Sequence, residues 1–100
     1  MHESCHVEPV EKAVTVQQVR DADRILLSVG GMGCPNCALR VRNGLIAVDG
    51  VYRADVYLNL RLAEVYYDGS KLSAEALTAA VHKAGNDGRH EYYAVVIAYE

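Results

Sequence analysis

No apolar run in this 100-residue sequence approaches the ~20 residues that a bilayer span requires, so a membrane-spanning chain is not expected. The opening MHESCHVEPVEKA has neither a basic leader segment nor an apolar one, which makes a secretory signal unexpected and the cytoplasm the expected compartment. Positive charge is also scarce. Ten Lys and Arg stand against 13 Asp and Glu, for a net charge of -3, and no basic cluster offers a nucleic-acid backbone the cations it needs. Cysteine is sparse and odd in number, at three. In a reducing compartment a close pair of cysteines is more often catalytic or metal-binding than a structural disulfide. The remaining composition, 51% hydrophobic and 23% charged, is that of one globular domain with a single modest core.

From Arg24 onward, Ile25, Leu27 and Val29 alternate with polar or outward positions and predict a strand ending at Gly30, Gly31 and Gly33. Helical spacing follows in Ala38, Val41, Leu45 and Val48, and Asp49-Gly50 ends it. Ala54, Val56 and Leu58, then Ala63, Val65 and Tyr67, alternate around a turn at residues 59–61 and predict a β-hairpin. Ser73 is placed as an N-cap, with Leu72 and Leu77 as its hydrophobic staple. The helix it opens carries Leu77, Ala80, Val81 and Ala84 on its buried stripe, and Gly85 stands where a left-handed C-cap belongs. Residues 92–99 are expected to form the last strand. The order βαββαβ is α+β and ferredoxin-like, a four-stranded antiparallel sheet with two helices on one face. Residues 1–23 form an N-terminal extension outside this plan. There Pro9 could open a short helix through Val10, Ala13 and Val14, or AVTVQQV could add a strand.

The chemistry lies in GGMGCPNCALRV. Cys34 belongs to the glycine-rich loop and Cys37 to the first helical turn, where unpaired N–H groups and the helix dipole favour thiolates. Two thiolates at this spacing can face one ion. A soft d10 ion such as Cu(I) is satisfied at low coordination number, whereas structural zinc takes four ligands, so the pair suits Cu(I) better than Zn(II). Against this stands the alternative that both cysteines are simply small buried residues.

The run GMGCPNC resembles the Gly-Met-x-Cys-x-x-Cys signature of heavy-metal-associated domains, a family that includes small copper chaperones and the N-terminal metal-binding modules of copper-transporting P-type ATPases. The resemblance covers about residues 24–99, including the hairpin VYRADVYLNLRLAEVYYD and the helix end ALTAAVHKAG, and marks 24–100 as the domain. It implies that Cys34 and Cys37 bind one Cu(I) at the surface while Met32 packs inward to support the loop. It also implies a carrier rather than an enzyme, with a metal-transporting ATPase or another metal donor or acceptor as partner. Two departures stand out. Asn86 follows Gly85 where family members place Tyr or Lys, so an aromatic shield or balancing charge is missing there, and Gly33 replaces the acidic residue that often precedes the first cysteine in zinc- and cadmium-handling relatives. The front end carries His2, Cys5 and His6, which could add a third or fourth ligand to zinc or copper, bridge a homodimer through the metal, or simply belong to a loose terminal tail. His82 and His90 show no spacing toward the cysteine loop and are expected to be solvated; Arg40 and Arg42 are expected to lie on a solvated helix face, from which they could steer an acidic partner.

Other functions fit less well. A thiol-disulfide enzyme of thioredoxin type carries a proline beside its cysteines from later in the chain, and the prolines here are Pro9 and Pro35. An RNA-recognition module needs stacking aromatics in a basic segment, where this chain has the acidic AEVYYDGS. An interaction domain could use Tyr57 and Tyr66 on the open sheet face, although tyrosines there also serve as ordinary cross-strand pairs.

Overall fold

The computed structural model describes residues 8–85 and 91–99. Its elements run α1 (Val16–Asp21), β1 (Asp23–Gly30), α2 (Pro35–Ile46), β2 (Val51–Tyr57), β3 (Leu62–Tyr67), α3 (Ala74–Ala84) and β4 (Tyr93–Tyr99). The four strands form one antiparallel sheet in the order β2-β3-β1-β4. From β1 onward this is the ferredoxin-like arrangement expected from the alternating and helical patterns.

The core lies between the sheet and α2 and α3. Strand alternation turns Ile25, Leu27 and Val29 of β1 inward with zero exposure, and their partners Val65 and Ala63 on β3 are equally buried. Val41 and Leu45 of α2 and Leu77 and Val81 of α3 close the same core, spaced three to four residues apart as an amphipathic helix requires. Ala54 and Val56 hold the predicted inward phase on β2, one buried and one partly so, beyond a bulge between Val51 and Arg53. On the outer face Tyr66 lies beneath the Arg53 guanidinium, 6.0 Å from ring centroid to carbon, and the Arg24–Glu64 ion pair stands beside it. Tyr57, half exposed, pairs with Leu62, so both outer tyrosines sit in ordinary cross-strand neighbourhoods.

Three expectations are corrected. Neither a helix opened by Pro9 nor a strand over AVTVQQV forms; the chain stays irregular until Thr15, whose side chain caps α1 reciprocally with Gln18. Gly85 does end α3, but at φ -105, outside the left-handed region. It is needed for space instead: a β-carbon there would stand 2.6 Å from Cδ2 of Tyr92. Ser73 occupies the N-cap of α3 with extended backbone angles, yet its side chain makes no capping bond.

Candidate metal centre

Cys34 is the N-cap of α2, with extended backbone, and Pro35 takes the first helical position where no N–H partner is required. The Cys34 carbonyl accepts from the N–H groups of Cys37 (2.9 Å) and Ala38 (3.3 Å), so the first turn is fixed by the same residue that carries one sulfur. This turn brings the two sulfurs together, with the Sγ atoms 3.5 Å apart and both thiols free. The pair is unequal. Cys37 is 4% exposed and part of the core, while Cys34 is only partly buried. Met32, 7% exposed, belongs to the core cluster. Gly31 has φ +94, and a β-carbon there would come within 2.0 Å of the Glu91 carbonyl oxygen, so only glycine lets the residues preceding β4 cross this close to the cysteine loop.

That crossing delivers Tyr92, the site residue that sequence reasoning missed. Two adjacent tyrosines precede and open β4 with opposite fates: Tyr93 lies opposite Gly30 on the outer face, 61% exposed, and Tyr92 is wholly buried. Burial pushes the Cys37 thiol up, but hydrogen bonding from the Tyr92 side chain, the Gly33 backbone and Cys34 outweighs it and lowers the pKa from 9.0 to about 7. The position after Gly85 was expected to lack an aromatic. Asn86 lies outside the described residues, and the aromatic ring packed against Gly85 is that of Tyr92, from the other end of that connection. The sequence signal was available in the two successive tyrosines, of which strand alternation must turn one inward. His82, expected to be solvated, is exposed, but its Nδ1 lies 3.1 Å from the Tyr92 carbonyl oxygen and so helps to hold that residue.

Of the remaining candidates, His2, Cys5, His6 and His90 lie outside the described residues. Among the described residues no group of three His, Cys, Asp or Glu side chains gathers at one point, so the site they form is the two-sulfur pair. Arg42, expected on a solvated helix face, donates to the Val10 carbonyl (2.9 Å) and to Asn43 Oδ1 (3.3 Å).

A family model, that of the heavy-metal-associated domain, matches residues 26–87. A mercuric transport protein periplasmic component from Pseudomonas fluorescens is 41% identical over 61 residues, spanning 61% of this chain and 67% of that protein. A copper-binding domain from HMA7, a P-type ATPase, superposes with a TM-score of 0.70 at 29% identity, over 78% of this chain and 97% of that one. The CopZ metallochaperone gives 0.63 at 33% identity, over 72% and 98%. The matched segment contains the paired sulfurs and the helices and strands that hold them, and this chain belongs to the heavy-metal-associated domain family.

Proposed function

We propose that the chain carries one soft d10 ion, Cu(I), between Cys34 and Cys37 and passes it to a protein partner by exchange of thiolates. The observation that carries this reading is the pair of free sulfurs 3.5 Å apart at a helix start, one buried and one accessible. Two thiolates satisfy Cu(I), whereas Zn(II) takes four ligands that the described residues do not assemble. The inequality of the sulfurs sets an order of ligand exchange. Cys37, held by Tyr92 and the loop backbone, is the anchor. Cys34, nearer solvent, is the ligand an incoming thiolate displaces, through an intermediate in which both proteins hold the ion. The role is that of a carrier, not an enzyme, and its partner is a metal-transporting ATPase or another donor or acceptor with paired thiols.

A second reading, Hg(II) in place of Cu(I), is supported by the mercuric transport relative; the chemistry of two thiolates on a soft ion is shared. We place the chain in the cytoplasm from its sequence, although that relative is periplasmic by name. Cell fractionation tests the compartment. Elemental mass spectrometry of the protein isolated from its own cells, grown with trace copper, zinc and mercury, tests the cargo. Copper at about one ion per chain is expected. Mercury alone gives the second reading, and zinc alone refutes both.

A further inference from the structure

The sheet has two edges, β2 and β4, and the chain treats them differently. An open strand edge is a template for pairing with another chain, and charged side chains or a covering element suppress that pairing. The β2 edge has both. Arg53 and Asp55 form an ion pair on that strand, and Lys12 Nζ, from the segment ahead of α1, donates to the Val51 carbonyl at its start (2.7 Å). The β4 edge has neither. Its sequence, YAVVIAY from Tyr93 to Tyr99, contains no charge and no proline, and among the described residues no strand lies beyond it. Tyr93, Val95, Ile97 and Tyr99 are each more than half exposed, while Ala94 and Val96 between them pack against the core. The register shift between Leu26 and Leu27 falls opposite residues 96–98, a bulge that twists the strand there and leaves residues 93–96 regular.

We propose that a second copy of this chain docks on that edge, β4 against β4, antiparallel about a two-fold axis centred on Val96. The strand is self-complementary for this operation: read from either end, YAVVIAY is the same apart from one exchange of Val and Ile. A two-fold axis pairs residue i with j and j with i. Centred on Val96, it sets Tyr93 opposite the partner's Tyr99, Ala94 opposite the partner's Ala98 and Val95 opposite the partner's Ile97. Aromatic then meets aromatic, β-branched meets β-branched and small meets small, with no like charges facing each other. The exposed parts of the four large side chains, with the strand's backbone edge, offer roughly 500 Å² per copy, so the dimer buries about 1,000 Å² in all, the size of a weak and reversible specific interface. The assembly closes at two. Pairing uses up the β4 edge, and the guarded β2 edge does not accept the next copy, so a head-to-tail filament is disfavoured. The axis stands normal to the joined sheet of eight strands. The cysteine loop follows Gly30, which lies opposite Tyr93, and the two Tyr93 residues are six strand positions apart, ~20 Å, so the two cysteine pairs sit at opposite ends of the joint. The contact is therefore independent of the metal-binding reading, unlike a homodimer bridged through the ion.

The test uses the full chain, reduced and freed of metal with a chelator. Sedimentation velocity between about 1 μM and about 1 mM should show a reversible equilibrium of monomer and dimer, and the same equilibrium when Cys34 and Cys37 are both replaced by Ser. Val95→Glu and Ile97→Lys each set a charge opposite an apolar side chain in the joint and should weaken the dimer about tenfold or more. Both positions are exposed, so circular dichroism should find each variant folded. Mixing the two variants allows a heterodimer with one Glu–Lys pair and one native Val95–Ile97 pair, which should form more tightly than either variant pairs with itself; that rescue is specific to the register centred on Val96. A chain that stays monomeric over the whole range, a dimer that needs copper or the paired cysteines, a mixture no tighter than its components, or growth beyond two copies would each overturn the proposal.

Discussion

Replacing Tyr92 by Phe removes one oxygen from the interior and leaves the ring, which is wholly buried against Gly85, in place. The hydroxyl is the foremost of the groups that pull the Cys37 pKa down to about 7 against the opposing effect of burial. A hydrogen bond to a charged partner contributes ~1.5–3 kcal/mol, and each pKa unit corresponds to ~1.36 kcal/mol. The Cys37 midpoint in Tyr92→Phe should therefore rise above about 7 toward the ordinary thiol value, by at most ~2 units. Near neutral pH the wild-type thiol is about half ionised, and in the variant a smaller fraction would be. The assay is a pH titration of the metal-free protein with labelled cysteine β-carbons, which resolves Cys37 from Cys34 by nuclear magnetic resonance. Circular dichroism should show the fold intact, since ring volume is preserved. A Cys37 midpoint that does not move would refute the role assigned to Tyr92 and return the low pKa to the backbone groups of Gly33 and Cys34.

The depressed Cys37 pKa also predicts how stability follows pH. An acid whose pKa falls from 9.0 to about 7 on folding adds stability that is complete above about pH 9 and lost as pH falls through about 7, at most ~2.7 kcal/mol; urea midpoints of the metal-free protein should rise across that window, and the rise should vanish in Cys37→Ser. Gly85→Ala should destabilise by ~1–3 kcal/mol as an overpacking change, because the new methyl meets the Tyr92 ring at 2.6 Å, and a neutral urea midpoint would contradict the packing described. Gly33→Asp should fold normally, since a β-carbon there meets nothing within 4 Å. It should also raise Zn(II) affinity about tenfold while changing Cu(I) affinity only severalfold, a shift that parallel chelator competitions would register or exclude.

Much of the architecture was legible because local periodicity decided it. Ile25, Leu27 and Val29 declare a strand, and Val41 with Leu45 declares a helix, whatever the rest of the chain does. The Cys34–Cys37 spacing likewise places both sulfurs in one turn. The misses share a different character. Helix α1 buries no residue, so it leaves no apolar period, and its one signal was the Thr15-x-x-Gln18 capping box. The segment ahead of α1 is held by Lys12, Arg42 and Asn43 through bonds that span more than thirty residues, and such bonds imprint no pattern on the residues that make them. Gly85 was placed correctly for a reason that failed, because the neighbour that demands a glycine, Tyr92, arrives from another element. Tyr92 itself reaches Cys37 only when β4 closes on β1, a contact no local window contains.

The central claim is that one soft ion is held by the two sulfurs at the start of α2. Native mass spectrometry under reducing, thiol-free conditions measures it most directly, comparing the wild type with the variant in which Cys34 and Cys37 are both Ser, each offered a small excess of Cu(I). The account predicts about one copper per wild-type chain and none retained by the variant. A variant that keeps one copper with wild-type resistance to a competing chelator would contradict it.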